Sequence, residues 1–144
     1  IENAVELFGI KGIVTGAVGS VYQASRVQKI CAELGIWCFN PLWQVNQIEL
    51  LEKLVREKYE IIISSIAAYP LDQTWLGRKI DAKAISELKV LQDKYKIHPA
   101  GEGGEFESLV LNAPMFKRKI KISEYEKKYS NHAGVFIVKE ADLE

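Results

Sequence analysis

The chain is poor in the residue types that mark several common function classes. In 144 residues it has two cysteines, Cys31 and Cys38, and two histidines, His98 and His132. Neither pair has metal-ligand spacing, and so few cysteines exclude a disulfide framework. A buried thiol at Cys31 and a reducing, cytoplasmic setting are expected. Acidic and basic side chains balance at 19 each, which excludes a broad basic surface for nucleic acid. No apolar run approaches the roughly 20 residues that span a bilayer, so no membrane partner is expected. A secretory signal, internal repeats and low-complexity tracts are absent as well. The single methionine is Met115. Residues 1–8 read like the end of a helix, so a segment of a longer protein is expected. Nothing in the pattern excludes a homo-oligomer.

What is present is a globular composition, 48% hydrophobic and 26% charged, with clear punctuation. Residues 12–18 form an apolar run ending in small residues, the pattern of a buried strand entering a tight turn. A helix over 21–34 follows, with Val27, Ile30, Cys31 and Leu34 on one face, stopped by Gly35. Residues 36–40 predict a second strand closed by Pro41. Residues 45–58 predict a helix with Ile48, Leu51, Leu54 and Val55 together. Residues 60–67 are nearly all apolar and predict a third strand, buried on both faces. Strand, helix, strand, helix, strand with short connections predicts parallel pairing through crossover helices. Ligands then sit at the carboxyl ends of the strands, which points to the 15–20 loop.

Beyond a soft boundary near Ala68 the pattern changes. A loop over 69–80 precedes a helix capped by Asp81 and running to Tyr95. A glycine-rich stretch covers 101–108, and a strand is expected over 109–111. A last pair is expected from 119–129 and 135–138 across a turn. The expected fold class is α/β, with residues 1–68 forming part of a parallel sheet and 69–144 a smaller α+β lobe.

Three constellations could carry chemistry. The first is Thr15-Gly-Ala-Val-Gly-Ser20 with Tyr22, Gln23 and Arg26. Gly16 and Gly19 allow close backbone approach, and the helix start presents unpaired N–H groups to an anion. Arg26, one turn in, can reach a phosphate or carboxylate. The competing reading is a Ser20–Gln23 capping box that merely starts a helix. The second is Gly101-Glu-Gly-Gly-Glu-Phe-Glu-Ser108. Three glutamates repel bare phosphate and suit a cation, either Mg2+ or an ammonium-type group. An extended chain beyond Gly104 would aim Glu105 and Glu107 to one side. The alternative is a solvated acidic turn, against which stands Phe106, an apolar anchor. The third is aromatic: Trp37, Trp43, Tyr69 and Trp75 can wall a cation, or pack in a core, the reading favoured for Trp37.

GIVTGAVGSVYQASRV, LGIWCFNPLW, LGRKID and GEGGEFESLVLNAPMF occur in this order along nearly the whole chain. Together they resemble the diphthine–ammonia ligase family of N-type ATP pyrophosphatases. The resemblance implies part of an adenine nucleotide α-hydrolase-like, Rossmann-like sheet followed by a family-specific lobe. It implies ATP, with Mg2+, activating a diphthine carboxylate on translation elongation factor two as an acyl adenylate. Pyrophosphate is released, and ammonium supplies the nitrogen that displaces AMP. By matching motif, Gly16, Ala17, Ser20, Tyr22, Gln23 and Arg26 would meet the nucleotide, with Trp43 shaping the cleft. Glu102, Gly103, Gly104, Glu105 and Glu107 would meet diphthine, Glu102 and Glu105 as the catalytic carboxylates. The family's S-G-G-K-D-S phosphate loop does not occur in these 144 residues, so this chain alone is expected not to cleave ATP. Two other readings stay open: amidation of another small-molecule carboxylate, and a non-catalytic nucleotide-binding or docking module.

Overall fold

The computed structural model describes residues 1–144 and divides into two compact units, Ile1–Asn46 and Gln47–Glu144. In the first unit, helix α1 (Glu2–Phe8) precedes strand β1 (Gly12–Val14), helix α2 (Val21–Glu33) and strand β2 (Trp37–Phe39). β1 and β2 pair in parallel, with Gly12 opposite Trp37 and Val14 opposite Phe39. A parallel pair needs a crossover, and α2 provides it. Ala24 and Cys31 on α2 are buried, and burial raises the Cys31 thiol above its ordinary value. β1 is shorter than the expected 12–18 run because Ala17 and Val18, although buried, lie in the turn after it. Trp37, expected in the core, is 55% exposed. Its ring lies over the facing strand, where a Cβ on Gly12 would come within 2.0 Å of it.

The second unit contains α3 (Gln47–Arg56), β3 (Glu60–Ile66), a 3-10 turn (Gln73–Trp75), α4 (Ala82–Tyr95), β4 (Phe106–Asn112), β5 (Ile120–Ser130) and β6 (Ala133–Leu143). Its sheet has the order β4-β3-β6-β5, and every pairing is antiparallel. This corrects the expectation of a third parallel strand. β3 occupies the expected residues but pairs with β4 and β6. By hydrogen bonding it belongs with the later lobe rather than with residues 1–46. The fold is α/β, with a two-stranded parallel sheet and a four-stranded antiparallel one.

One apolar core holds this unit together. Ile61, Ile63 and Ile66 of β3 pack with Leu71, Leu76, Ile85, Leu88 and Phe106, all buried. Each fully buried Leu or Ile contributes about 1.5–3 kcal/mol. α4 starts as predicted, with the Asp81 carboxylate accepting from the Ala84 N–H at 2.8 Å. It ends at Lys96, whose left-handed backbone closes the last turn. β5 and β6 meet at Asn131 and His132, both at positive φ, the two-residue geometry that matches strand twist.

Candidate functional site

The glycine-rich stretch folds as a tied loop ahead of β4. The Glu105 carboxylate turns back into it, one oxygen accepting from the His98 N–H at 2.8 Å and the other from the Gly103 N–H at 2.9 Å. Two residues show why glycine is needed here. A Cβ on Gly103 would lie 2.6 Å from the Glu105 Oε1. Gly101 sits at φ +78, and a Cβ there would meet the Phe106 carbonyl at 2.6 Å. A second clamp comes from Gln47 at the start of α3. Its Oε1 accepts from the Ala100 N–H at 3.0 Å, and its Nε2 lies 3.2 Å from the His98 Nδ1. The loop therefore has a fixed shape, held by two side chains on its own backbone amides.

This arrangement separates the three glutamates. Glu105 is 8% exposed, with both oxygens engaged by the loop. It is turned inward, not aimed to the same side as Glu107. The strand begins at Phe106 and Gly104 stands at φ +83, so strand alternation does not extend back to Glu105. Glu107 is exposed on β4 and has no ion-pair partner, and Glu102 is half-buried in the loop. No group of three His, Cys, Asp or Glu side chains gathers where it could hold a metal ion. The donors present therefore do not fit the Mg2+ alternative for this loop.

Glu107 stands at one end of a cross-strand row. It pairs with Ser65 of β3, Ser65 with Val135 of β6, and Val135 with Lys128 of β5. Cross-strand partners project to one face, so these four side chains form a row. Ser65, Val135 and Lys128 line a cleft of about 570 Å3 together with Tyr129. At the same end of the sheet, the Ala67 N–H donates to the Glu105 carbonyl at 2.8 Å. Two residues on, Tyr69 makes edge contacts with Tyr95 (5.3 Å, 87°) and His132 (5.2 Å, 85°). The hydrogen bond that the Tyr69 hydroxyl gives to Tyr95 raises it above its ordinary value. Lys94, hydrogen-bonded to the Tyr95 hydroxyl, lowers that of Tyr95. Trp75, the other aromatic named from this half, is buried beneath the Arg78 guanidinium at 4.3 Å. Arg78 in turn forms a two-pronged ion pair with Glu87 at 2.6 and 2.7 Å. Trp75 therefore belongs to packing.

In the first unit the other sequence-selected residues gather by themselves. The 15–20 loop leaves the carboxyl end of β1, and Thr15 bonds to Asn40 at the end of β2. The Gln44 N–H donates to the Val18 carbonyl at 2.8 Å, which brings the half-buried Trp43 segment alongside the loop. The Ser20 Oγ accepts from the Gln23 N–H at 3.4 Å, one half of a capping box. Ala17 is buried, Gly16 is exposed, and a Cβ on Gly16 would meet nothing within 4 Å. The Arg26 Nη1 donates to the Tyr22 hydroxyl at 2.6 Å, and both side chains are exposed. This end of α2 offers a positive dipole and a guanidinium, the complement of a carboxylate or phosphate oxygen.

Sequence reasoning missed Gln47, His98, Tyr95 and His132. Gln47 and Ala100 are 53 residues apart, and no local period links them. A glutamine beginning an amphipathic helix is ordinary, so no sequence signal marked it.

Comparison with known proteins bears on what such a pair of features serves. Residues 46–143 match the family model described as diphthamide synthase C-terminal domain. The chain is 38% identical over 117 residues to the diphthine–ammonia ligase of Schizosaccharomyces pombe, covering 81% of this chain and 19% of that protein. It is 38% identical over 118 residues to that of Bos taurus, covering 81% of this chain and 44% of the relative. The Homo sapiens ligase is 37% identical over the same length and coverage. The chain thus spans less than half the length of these relatives.

Proposed function

The chain belongs to the diphthamide synthase C-terminal domain family, and from that premise we propose that it is the substrate-handling part of a diphthine–ammonia ligase. The substrate carboxylate belongs to diphthine on translation elongation factor two, and the product is its amide, diphthamide. ATP is a substrate, and it supplies the AMP group that activates the carboxylate with release of pyrophosphate. The nitrogen lone pair of ammonia then attacks the activated carbonyl, AMP departs, and the nitrogen sheds a proton. Residues 1–46 contribute to an adenine nucleotide α-hydrolase-like sheet. The setting is the cytoplasm.

The observation that carries this reading is the tied loop before β4. It places an exposed Glu107 and a half-buried Glu102 on a rigid frame, which suits a substrate bearing a fixed positive charge. Diphthine carries a trimethylammonium group. Gly103 and Gly104 let such a substrate approach the backbone. Glu105 acts as a positioning residue, because both its oxygens already hold the loop. Arg26 and Tyr22, with the backbone of Gly16 and Ala17 and the start of α2 at Ser20 and Gln23, take the anionic partners: nucleotide phosphate or the reacting carboxylate. Trp43 borders that loop. No residue here is assigned to Mg2+, and no step is routed through it.

The test separates the two roles in the full gene product. Glu107→Gln is expected to raise the KM for diphthine-bearing elongation factor two and leave ATP binding unchanged. Arg26→Ala is expected to weaken ATP binding first. An equal loss of ATP affinity in Glu107→Gln would show the loop misassigned. Amidation of another carboxylate but not of diphthine would replace the substrate.

A further inference from the structure

The two thiols of the chain meet in the first unit. Alternation along β2 sends Trp37 and Phe39 to one face, where both are exposed, and Cys38 to the other. Cys31 lies on the buried side of α2, and its carbonyl accepts from the Ile36 N–H at 2.9 Å, just before β2 begins. The side chains touch. The Cys31 thiol is hydrogen-bonded to Cys38; burial first, then this neighbour, raises it above its ordinary value. Cys31 is sealed at 1% exposure, whereas Cys38 is half-buried. A small oxidant therefore reaches Cys38 first.

Cys38 is also linked to the 15–20 loop. Its thiol donates to the Asn40 Oδ1 at 3.8 Å, and the same oxygen accepts from the Thr15 hydroxyl. The Thr15 Oγ1 in turn accepts from the Ala17 N–H at 3.4 Å. A change at the Cys38 sulfur is thus transmitted through Asn40 and Thr15 to the backbone of Ala17.

We propose that Cys31 and Cys38 form a redox modification site, closing to a reversible disulfide that slackens the 15–20 loop. The oxidant is a peroxide. The Cys38 thiolate attacks one peroxide oxygen, the O–O bond breaks, and hydroxide leaves and becomes water, giving a sulfenic acid. The Cys31 thiolate then attacks that sulfur: the S–S bond forms, the S–O bond breaks, and a second water departs. Two thiols and one hydrogen peroxide thus give one disulfide and two waters. The sulfurs close from hydrogen-bonding contact to about 2.0 Å. Cys38 then has no S–H to give Asn40, and its sulfur is drawn toward α2. A small thiol reverses the step by attacking the accessible Cys38 sulfur. Transient disulfides of this kind are compatible with a reducing compartment. That the loop's ligand is ATP rests on the function proposed above; the disulfide itself does not.

The experiment uses the full gene product, first reduced and then treated with hydrogen peroxide. No lysine or arginine lies between Lys29 and Lys53, so trypsin releases both cysteines on one peptide, residues 30–53. That peptide is expected to lose two hydrogens, to take up no iodoacetamide after denaturation, and to recover both thiols with dithiothreitol. Cys31→Ala is expected to stop at the Cys38 sulfenic acid, trapped by dimedone. Cys38→Ser is expected to leave Cys31 reduced, and this half-buried position keeps the test if Cys31→Ala does not fold. A Cys38 sulfinic acid with Cys31 still free, two thiols that survive peroxide, or oxidation of Cys31 in Cys38→Ser would overturn the site. ATP affinity, measured by calorimetry before and after peroxide, is expected to fall by about two- to tenfold in the wild type. In Cys38→Ser peroxide is expected to leave it unchanged. A disulfide with undiminished ATP affinity would overturn the coupling to the loop. Absence of ATP binding in the reduced protein would overturn the ligand assigned to that loop, while the peptide mass still decides the disulfide.

Discussion

Replacing Gly103 by alanine probes the tied loop with a single methyl group. The residue does not require a left-handed backbone, so the substitution carries no conformational penalty of that kind. Its cost comes from the methyl meeting the Glu105 carboxylate, at 2.6 Å from Oε1 and 2.9 Å from Oε2. The carboxylate must move, and it is held by the N–H groups of His98 and Gly103. Hydrogen bonds to a charged acceptor contribute about 1.5–3 kcal/mol each, and a buried donor left unpaired costs about 1–3 kcal/mol. Partial relaxation puts the expected loss at about 2–4 kcal/mol. Glu105→Gln breaks the same contacts differently: its amide keeps one acceptor and turns an NH2 toward the other donor, for a loss of about 1.5–3 kcal/mol. Because both changes attack one network, the double variant should lose little more than the worse single one. Urea unfolding of the wild type, the two singles and the double closes the cycle. Costs that add to within about 0.3–0.5 kcal/mol would refute the shared network.

Other outcomes follow from single contacts. Gln47→Ala removes the acceptor for the Ala100 N–H; that amide should exchange with solvent markedly faster, with a stability loss of about 1 kcal/mol. Asp81→Ala removes the cap of α4 and should cost about 1 kcal/mol, read as a lower urea midpoint. The hydrogen bond from Arg78 holds the Glu87 carboxyl below its ordinary value of 4.5. A depressed carboxylate stabilises the fold above that value, and this contribution is lost as pH falls through the lower folded one. Glu87→Gln should therefore flatten the acid limb of a stability–pH curve, by a modest amount because the pair is partly solvated. An unchanged limb would show the pair to be energetically idle.

Local elements were legible in the sequence where local chemistry decides them. The helix capped by Asp81, the parallel β1–α2–β2 crossover and the closing hairpin all depend on neighbours within a few turns. The partner of β3 was not legible. An apolar run such as EIIISSI is buried on both faces in either kind of sheet, and nothing within it chooses between a parallel neighbour and Phe106–Asn112. Trp37 illustrates the limit of composition. A tryptophan on a strand reads as core, but here its ring covers a glycine on the facing strand and stays in solvent. The acidic stretch stands out in the sequence, yet nothing within it shows that Glu105 and Glu107 point apart. Only the loop's fold, set by Gly101, Gly103 and the distant Gln47, turns Glu105 inward and leaves Glu107 outside. The cluster of Tyr69, Tyr95 and His132 draws on three separate segments, so no pattern in the chain could assemble it.

The most direct measurement is made on the full gene product, with ATP, Mg2+, ammonium and elongation factor two bearing diphthine. AMP release and the small mass loss that turns a carboxylate into an amide are followed together. Both signals, with the mass change lost in Glu107→Gln at limiting elongation factor and ATP binding retained, are the predicted result. ATP breakdown without amide, or amide formation indifferent to Glu107, would contradict the proposed role of the loop.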